Sequence, residues 1–176
     1  MDWQVESGSR TTVFVSTTTS DLGDCRRIVA DILVQAGIFP VVQDYFGPDH
    51  RTIQEMINDK ILSSDAVICL VGHAFGAAPV SNGVVERSYT QIEYDIASRF
   101  EKPIYRFVAT DEYAKNNPVN EPDLLRIKQE EHRKDILTGS GKYQIFSTSA
   151  DLKNQIYDLI RPILEHSGRR SIKFVH

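Results

Sequence analysis

Glu93 is the carboxylate whose place in the sequence best suits it to act on a ligand. It follows a polar, Gly-rich stretch, residues 72–87, and a predicted helix that begins near Ser88. Ligands of an open parallel sheet bind beyond the carboxyl ends of the strands, where loops lead into the following helices. A carboxylate little more than one helical turn beyond such a loop can face the binding crevice.

The same rule selects three loops as the walls of a site, namely residues 16–21, 43–49 and 72–89. The candidate substrate-contacting residues in these loops are Ser16, Thr17, Asp21, Asp44, Phe46, Gly72, His73, Phe75 and Tyr89. Several have structural alternatives: Asp21 is favoured as a helix cap, Phe75 and Tyr89 suit packing, and His73 suits a solvated position. Glu93 too has an alternative, as a solvated helix residue.

Common catalytic motifs are absent from the sequence. No G-x-G-x-x-G follows the first predicted strand, no phosphate-binding P-loop occurs, and there is no G-x-S-x-G elbow. The five histidines lack zinc-site spacing. Dinucleotide-dependent redox, NTPase, zinc and serine hydrolase functions are therefore disfavoured, and we expect neither a cofactor nor a metal.

The composition is that of one ordinary globular domain. The chain has 176 residues, 41% hydrophobic and 25% charged, with a net charge of −4 that argues against direct nucleic-acid binding. No apolar run approaches the roughly 18 residues of a membrane span, and Cys25 and Cys69 suit buried, reduced thiols. We expect a cytoplasmic protein with no membrane contact. We also expect three regions: a flexible N-terminus (1–10), one domain (11–166), and a tail (167–176) that suits a truncated linker.

Strand-like and helix-like patterns alternate along the chain. Short apolar runs predict strands at residues 11–16, 38–42, 66–71, 103–108 and 143–146. Three- and four-residue apolar spacing predicts helices from about 21, 53, 88, 124 and 149. Ser20 or Asp21 is expected to cap the first helix, Gly37 to stop it and Ser149 to cap the last. This alternation predicts an α/β fold with a doubly wound, mainly parallel five-stranded sheet flanked by helices. Pro40 favours an edge position for its strand, and the all-apolar run 66–71 favours the central strand.

Several segments resemble, in order, the Toll/interleukin-1 receptor (TIR) family. They are V-F-V-S, S-D-L, S-S-D-A-V-I-C-L-V-G and S-Y-T-Q-I-E-Y-D-I-A, within residues 11–108. The chain is most similar to TIR-like domains of unknown function N-terminal to STAND NTPases, where F-S-T-S-A-D-L extends the resemblance to residue 165. The resemblance implies a flavodoxin-like, TIR-like fold and a larger parent chain with an NTPase or sensor region.

The resemblance also implies roles for particular residues. In TIR enzymes a tryptophan stands four residues before the catalytic glutamate; here Tyr89 and Glu93 hold that spacing, so the glutamate is retained and the tryptophan is not. Residues 43–49 match the BB loop, although Gly47 and Pro48 reverse its usual Pro-Gly order.

The activity that the resemblance implies is cleavage of the nicotinamide–ribose bond of NAD⁺, as substrate, by a glycohydrolase or cyclase. The resemblance also implies activation by self-association through TIR–TIR contacts, in immune or stress signalling such as antiviral defence. Two alternatives stay open: a non-enzymatic TIR-type signalling module, which the Tyr89 departure favours, and a nucleoside deoxyribosyltransferase-like enzyme, which would use a glutamate nucleophile on a glycosidic carbon.

Self-association can be tested at Phe46, whose loop places aromatics beside acidic residues in a pattern suited to an interface. Activity per molecule should rise on clustering, since short tethers raise effective concentration to about the millimolar range. We expect Phe46→Ala to flatten the concentration dependence of NAD⁺ cleavage with little change in melting temperature. If the loop only shields the sheet, Phe46→Ala should instead lower the stability of the domain and leave the concentration dependence of NAD⁺ cleavage unchanged. Clustered wild type no more active than dilute protein would contradict the prediction.

Overall fold

The computed structural model describes residues 10–43 and 52–172, with side chains to residue 168. Its strands are β1 (Thr12–Ser16), β2 (Phe39–Val41), β3 (Ala66–Val71), β4 (Ile104–Ala109) and β5 (Tyr143–Phe146). Its helices are α1 (Thr19–Gln35), α2 (Ile53–Ser63), α3 (Tyr89–Arg99), α4 (Asp111–Asn116), α5 (Asp123–Thr138) and α6 (Ser149–Ile172). No helix in these ranges is long and apolar enough to span a bilayer.

The strands form one parallel sheet in the order β2-β1-β3-β4-β5. This is the flavodoxin-like order, with its topological switch point between β1 and β3. The predicted fold class is confirmed. Pro40 lies in the edge strand β2, as predicted, and β3 is central and buried along its whole length.

Helices cover both faces of the sheet because successive strand residues point to opposite sides. Val13 and Val15 of β1 pack in a cluster with α1 and α6, whereas Phe14 packs in a second cluster with α2, α3 and α5. Both cysteines are buried and free, as predicted. The two layers hold the carboxyl ends of β1 and β3 in fixed positions.

Two predicted caps were wrong. Thr18, not Ser20 or Asp21, is the N-cap residue of α1, and it makes no side-chain capping bond. At α6 the cap is Thr148 rather than Ser149: the Asp151 N–H donates to the Thr148 hydroxyl at 3.1 Å, and the Thr148 N–H donates to the Asp151 carboxylate at 2.9 Å. Two acceptors at this spacing satisfy the open N–H groups of a first helical turn.

Other features at the ends of the helices agree only in part with the sequence prediction. Gly37 ends α1 in the left-handed conformation, with φ of 77°, as expected of a helix stop. The short helix α4 was not predicted, since six residues are too few to display a helical apolar period. Helix α6 continues to Ile172, beyond the expected end of the domain at residue 166.

Gly72 directly follows β3, at a point where the chain is crowded. A Cβ atom there would lie 2.1 Å from the Asp21 carboxylate oxygen and 2.9 Å from Leu22 Cδ1. That oxygen accepts the N–H groups of His73 at 2.8 Å and Ala74 at 2.9 Å. Only glycine therefore allows α1 to approach the end of β3 this closely.

We expect Gly72→Ala to lower the free energy of unfolding by about 2 to 4 kcal/mol, from overpacking and from strained carboxylate hydrogen bonds. Gly23→Ala within α1 is the matched control, because no atom lies within 4 Å of its added Cβ. The control should be neutral or stabilising by up to about 1 kcal/mol. Urea denaturation measures both, and equal effects of the two substitutions would contradict the crowding described here.

Candidate active site

Glu93 lies inside the protein near the start of α3. The Ser88 hydroxyl accepts the Gln91 N–H at 3.3 Å, and the Gln91 side chain accepts the Ser88 N–H at 3.4 Å, forming a capping box. This box fixes where the helix begins and hence which residues face the sheet. Glu93 takes an inward position and is only 1% exposed.

Two side chains donate hydrogen bonds to the Glu93 carboxyl group. The Ser16 hydroxyl, at the end of β1, donates to Oε2, and the Gln43 amide, two residues after β2, donates to Oε1 at 2.5 Å. Cys69 of β3 pairs in register with Ser16. Glu93 thus stands at the switch point, where the ends of three strands meet.

Burial controls the protonation of this group. Loss of solvation raises the pKa of the Glu93 carboxyl to about 8, although the hydrogen bonds from Ser16 and Gln43 and the charge of Arg26 act in the opposite direction. The pKa of the Cys69 thiol rises to about 12, chiefly by burial and also through the charge of Glu93. At neutral pH, Glu93 in this arrangement is mostly protonated.

A pocket of about 400 Å³ lies beside the buried carboxyl group. Its walls come from the start of α1, the β3–α3 loop, the start of α3 and the α4–α5 connection. The residues that line it include Thr17, Arg26, Gln43, Tyr89, Asn120 and Glu121. Because Gln43 both lines the pocket and donates to Glu93, its amide is the contact between the pocket and the carboxyl group.

The predicted substrate-contacting residues occupy different environments. Thr17 and Tyr89 line the pocket, and Ser16 contacts Glu93. The Asp21 carboxylate is engaged by Thr18 and by the backbone of residues 73 and 74. Asp44 and Phe46 lie outside the described residues.

The remaining predicted residues do not face this pocket. Phe75 is fully buried, which is its structural alternative. Gly72 contributes backbone: its carbonyl accepts the Gln129 amide at 2.8 Å. The His73 ring lies 3.3 Å from a Glu130 carboxylate oxygen and lines a separate cleft of about 770 Å³ against α5.

Three contributors to the site were not singled out by the sequence analysis. Gln43 lies within a loop that the carboxyl-end rule selected, so its position carried a signal. Arg26 is one of many charged residues of α1, and nothing marked it. Glu121 lies 45 residues beyond Gly76, whose N–H it accepts, and no local pattern foretells so distant a contact.

In the described part of the chain, no group of three or more His, Cys, Asp or Glu residues is arranged to hold a metal ion. The arrangement instead offers one buried carboxyl group, hydrogen-bond donors and an adjoining polar pocket. Such a carboxyl group can act by accepting hydrogen bonds and by placing negative charge near a ligand.

The parallel sheet in the order β2-β1-β3-β4-β5, with helices on both faces, defines a doubly wound α/β domain of the flavodoxin-like type. A solved structure of the TIR domains of the activated Roq1 resistosome, directly recognising the pathogen effector XopQ, aligns at a TM-score of 0.56 and 15% identity, over 85% of this chain and 99% of that one. More particularly, the chain belongs to the family described as Domain of unknown function (DUF4062), whose model matches residues 12–161.

Two further comparisons add little. The metal-soaked Flv1 flavodiiron core from Synechocystis sp. PCC6803 aligns at a TM-score of 0.41 and 8% identity, over 91% of this chain and 36% of that one, which is too weak a likeness to inform the fold. No curated protein matches the sequence. At 15% identity, the Roq1 likeness shows the fold alone, since one fold hosts many functions.

The pH dependence of stability tests the burial of Glu93. Its pKa is about 4.5 in an unfolded chain and about 8 in the folded one, so unfolding releases a proton between these values. The stabilisation linked to this group is therefore fully present below about pH 4.5 and is lost as pH rises through about 8. We expect Glu93→Gln, neutral at every pH, to gain on the order of 3 kcal/mol over wild type between pH 5 and pH 8.

Urea denaturation at several pH values measures this difference. Glu112→Gln is the matched control, because Glu112 is exposed on α4; its curve should run parallel to that of wild type. A Glu93→Gln curve also parallel to wild type would contradict the raised pKa.

Proposed function

We propose that this domain cleaves the nicotinamide–ribose bond of NAD⁺ as a glycohydrolase or cyclase, with Glu93 as its catalytic residue. The observation that carries the proposal is the environment of Glu93: a carboxyl group at the switch point, beside a polar pocket, that accepts one bond from a hydroxyl and one from an amide. Ribose hydroxyl groups also donate hydrogen bonds, and one of them can take the place of the Gln43 amide on the carboxylate.

The chemistry needs only one carboxylate. The bond between ribose C1′ and the nicotinamide nitrogen breaks, and its electron pair neutralises the pyridinium, so nicotinamide leaves without a general acid. The ribose becomes oxocarbenium-like and takes up water, which then loses a proton, or an internal nucleophile in the cyclase case. Ionised Glu93 stabilises the developing cation, and hydrogen bonds from the ribose hydroxyls strengthen as that charge grows.

The described arrangement is suited to a resting state. Glu93 is buried, mostly protonated at neutral pH and bonded at both oxygens. Catalysis requires that Gln43 withdraw and that the carboxyl group ionise. We propose that self-association supplies the free energy for this change through the segment that follows Gln43, and that a parent chain with an NTPase or sensor region triggers it in immune or stress signalling.

The pocket favours NAD⁺ over an unphosphorylated nucleoside. Arg26 contributes positive charge to a wall rich in hydroxyl groups, among them Thr17, which suits the pyrophosphate of a dinucleotide. Tyr89 offers an aromatic face in the place where TIR enzymes have tryptophan. A deoxynucleoside has no phosphate, so the deoxyribosyltransferase alternative makes no use of this arginine in binding the substrate.

One observation favours the non-enzymatic alternative. Both oxygens of Glu93 already have hydrogen-bond partners within the protein, as is usual for a buried polar group that only stabilises the fold. In that case the domain signals through TIR-type contacts between copies and no nucleotide is cleaved.

The decisive experiment measures release of free base by the purified domain, dilute and clustered on a tethering scaffold, with NAD⁺ and separately with deoxynucleosides. We expect nicotinamide release that rises on clustering and falls at least about 100-fold in Glu93→Gln, because the charge that stabilises the transition state is gone. Glu112→Gln, exposed on α4, should match wild type.

Three outcomes would sink the proposal. Undiminished release by Glu93→Gln would remove Glu93 from catalysis. Base release from deoxynucleosides alone would identify a transferase-like enzyme. Clustered domain that associates but releases no base would identify a signalling module.

A further inference from the structure

Four successive backbone N–H groups after β3 are bound by two carboxylates. Asp21 accepts those of His73 and Ala74 at 2.8 and 2.9 Å, and Glu121 accepts those of Phe75 and Gly76 at 2.8 and 2.9 Å. Charge-assisted hydrogen bonds of this kind are stronger than neutral ones. The loop is thus held from α1 on one side and from the α4–α5 connection on the other.

The Glu121 half of this arrangement leads to the aromatic wall of the pocket. Gly76, which Glu121 binds, precedes Ala77, whose carbonyl accepts the Tyr89 N–H at 3.0 Å. Tyr89 opens α3 and lines the pocket, as do Gly76, Ala77 and Glu121. One carboxylate therefore fixes a continuous wall that ends at the helix carrying Glu93.

The loop has little freedom to adjust by itself. Gly76 adopts the left-handed region, with φ of 78°, and a Cβ there would lie 2.7 Å from Thr18 Cγ2. The close approach of Gly76 to Thr18 places this wall against the start of α1. Without Glu121, the N–H groups of Phe75 and Gly76 lose their acceptor and with it the wall loses its connection to the α4–α5 segment.

We propose that Glu121 is a positioning residue that sets the width of the pocket and the place of Tyr89, and thereby the affinity for the base of the substrate; this rests on the proposed NAD⁺ cleavage. Glu121 touches no reacting atom in that reaction. Its loss removes binding that substrate and transition state share, which raises KM and leaves kcat nearly unchanged. Loss of Glu93 instead lowers kcat and leaves KM nearly unchanged.

The test compares Glu121→Ala and Glu121→Gln with Glu112→Ala, a control on the exposed surface of α4. In clustered protein, Glu121→Ala should raise KM for NAD⁺ about tenfold or more with kcat within about twofold. Glu121→Gln keeps one acceptor oxygen and should fall between Glu121→Ala and wild type. Glu112→Ala should behave as wild type. A fall in kcat at unchanged KM would overturn the proposal.

Amide hydrogen exchange tests the contact itself, with no substrate present. In Glu121→Ala, the amides of Phe75 and Gly76 should exchange at least about tenfold faster, whereas those of His73 and Ala74 stay protected by Asp21. Faster exchange at all four positions would reveal general loosening and would also overturn the proposal, as would no change at Phe75 and Gly76.

The two readouts separate this proposal from the proposed function. If wild type releases no nicotinamide, the proposed function fails and the role of Glu121 in NAD⁺ binding fails with it, whatever the exchange data show. If wild type cleaves NAD⁺ and Glu121→Ala has an unchanged KM despite faster exchange at Phe75 and Gly76, only the positioning role fails.

Discussion

Burying the carboxyl group of Glu93 is the constraint on which the rest of the site depends. An isolated charge in that place would cost several kcal/mol, so the group is neutralised and hydrogen-bonded instead. Ser16 and Gln43 supply those bonds from the ends of two strands, and the capping box at Ser88 sets the helix position that brings the carboxyl group to them. The contacts that satisfy the buried group also keep it from a ligand.

In the loop after β3, too, the protein's own side chains occupy groups that could otherwise bind a ligand. Backbone N–H groups in succession form a natural binding place for an anion. Here the anions belong to the protein: Asp21 and Glu121 accept the four N–H groups, so these donors are satisfied without a ligand. Arg26 and Glu121 both line the pocket, so its walls carry groups of opposite charge.

Much of the fold could be predicted because its signals are local. The apolar run of β3, the period of α1 and the proline of β2 each depend on a few neighbouring residues. The rule that ligands bind at the carboxyl ends of strands selected the loop before Glu93, but it did not predict that the carboxyl group would be buried. The partner of its Oε1 atom, Gln43, could not be predicted, since that depends on how a side chain turns after β2. Glu121 was beyond prediction for the same reason at greater range.

Pro40 has a consequence for how copies of this domain can meet. In a parallel strand, alternate N–H groups point to opposite sides, and the Phe39 N–H already donates inward, to Thr11 at 2.8 Å. The outward donor of this three-residue strand would be that of residue 40, and proline has none. The loss of this donor makes the margin a poorer template for an additional strand than an unprotected margin, such as those that extend fibrils. A second copy that met this margin would form fewer backbone hydrogen bonds and would depend more on contacts between side chains.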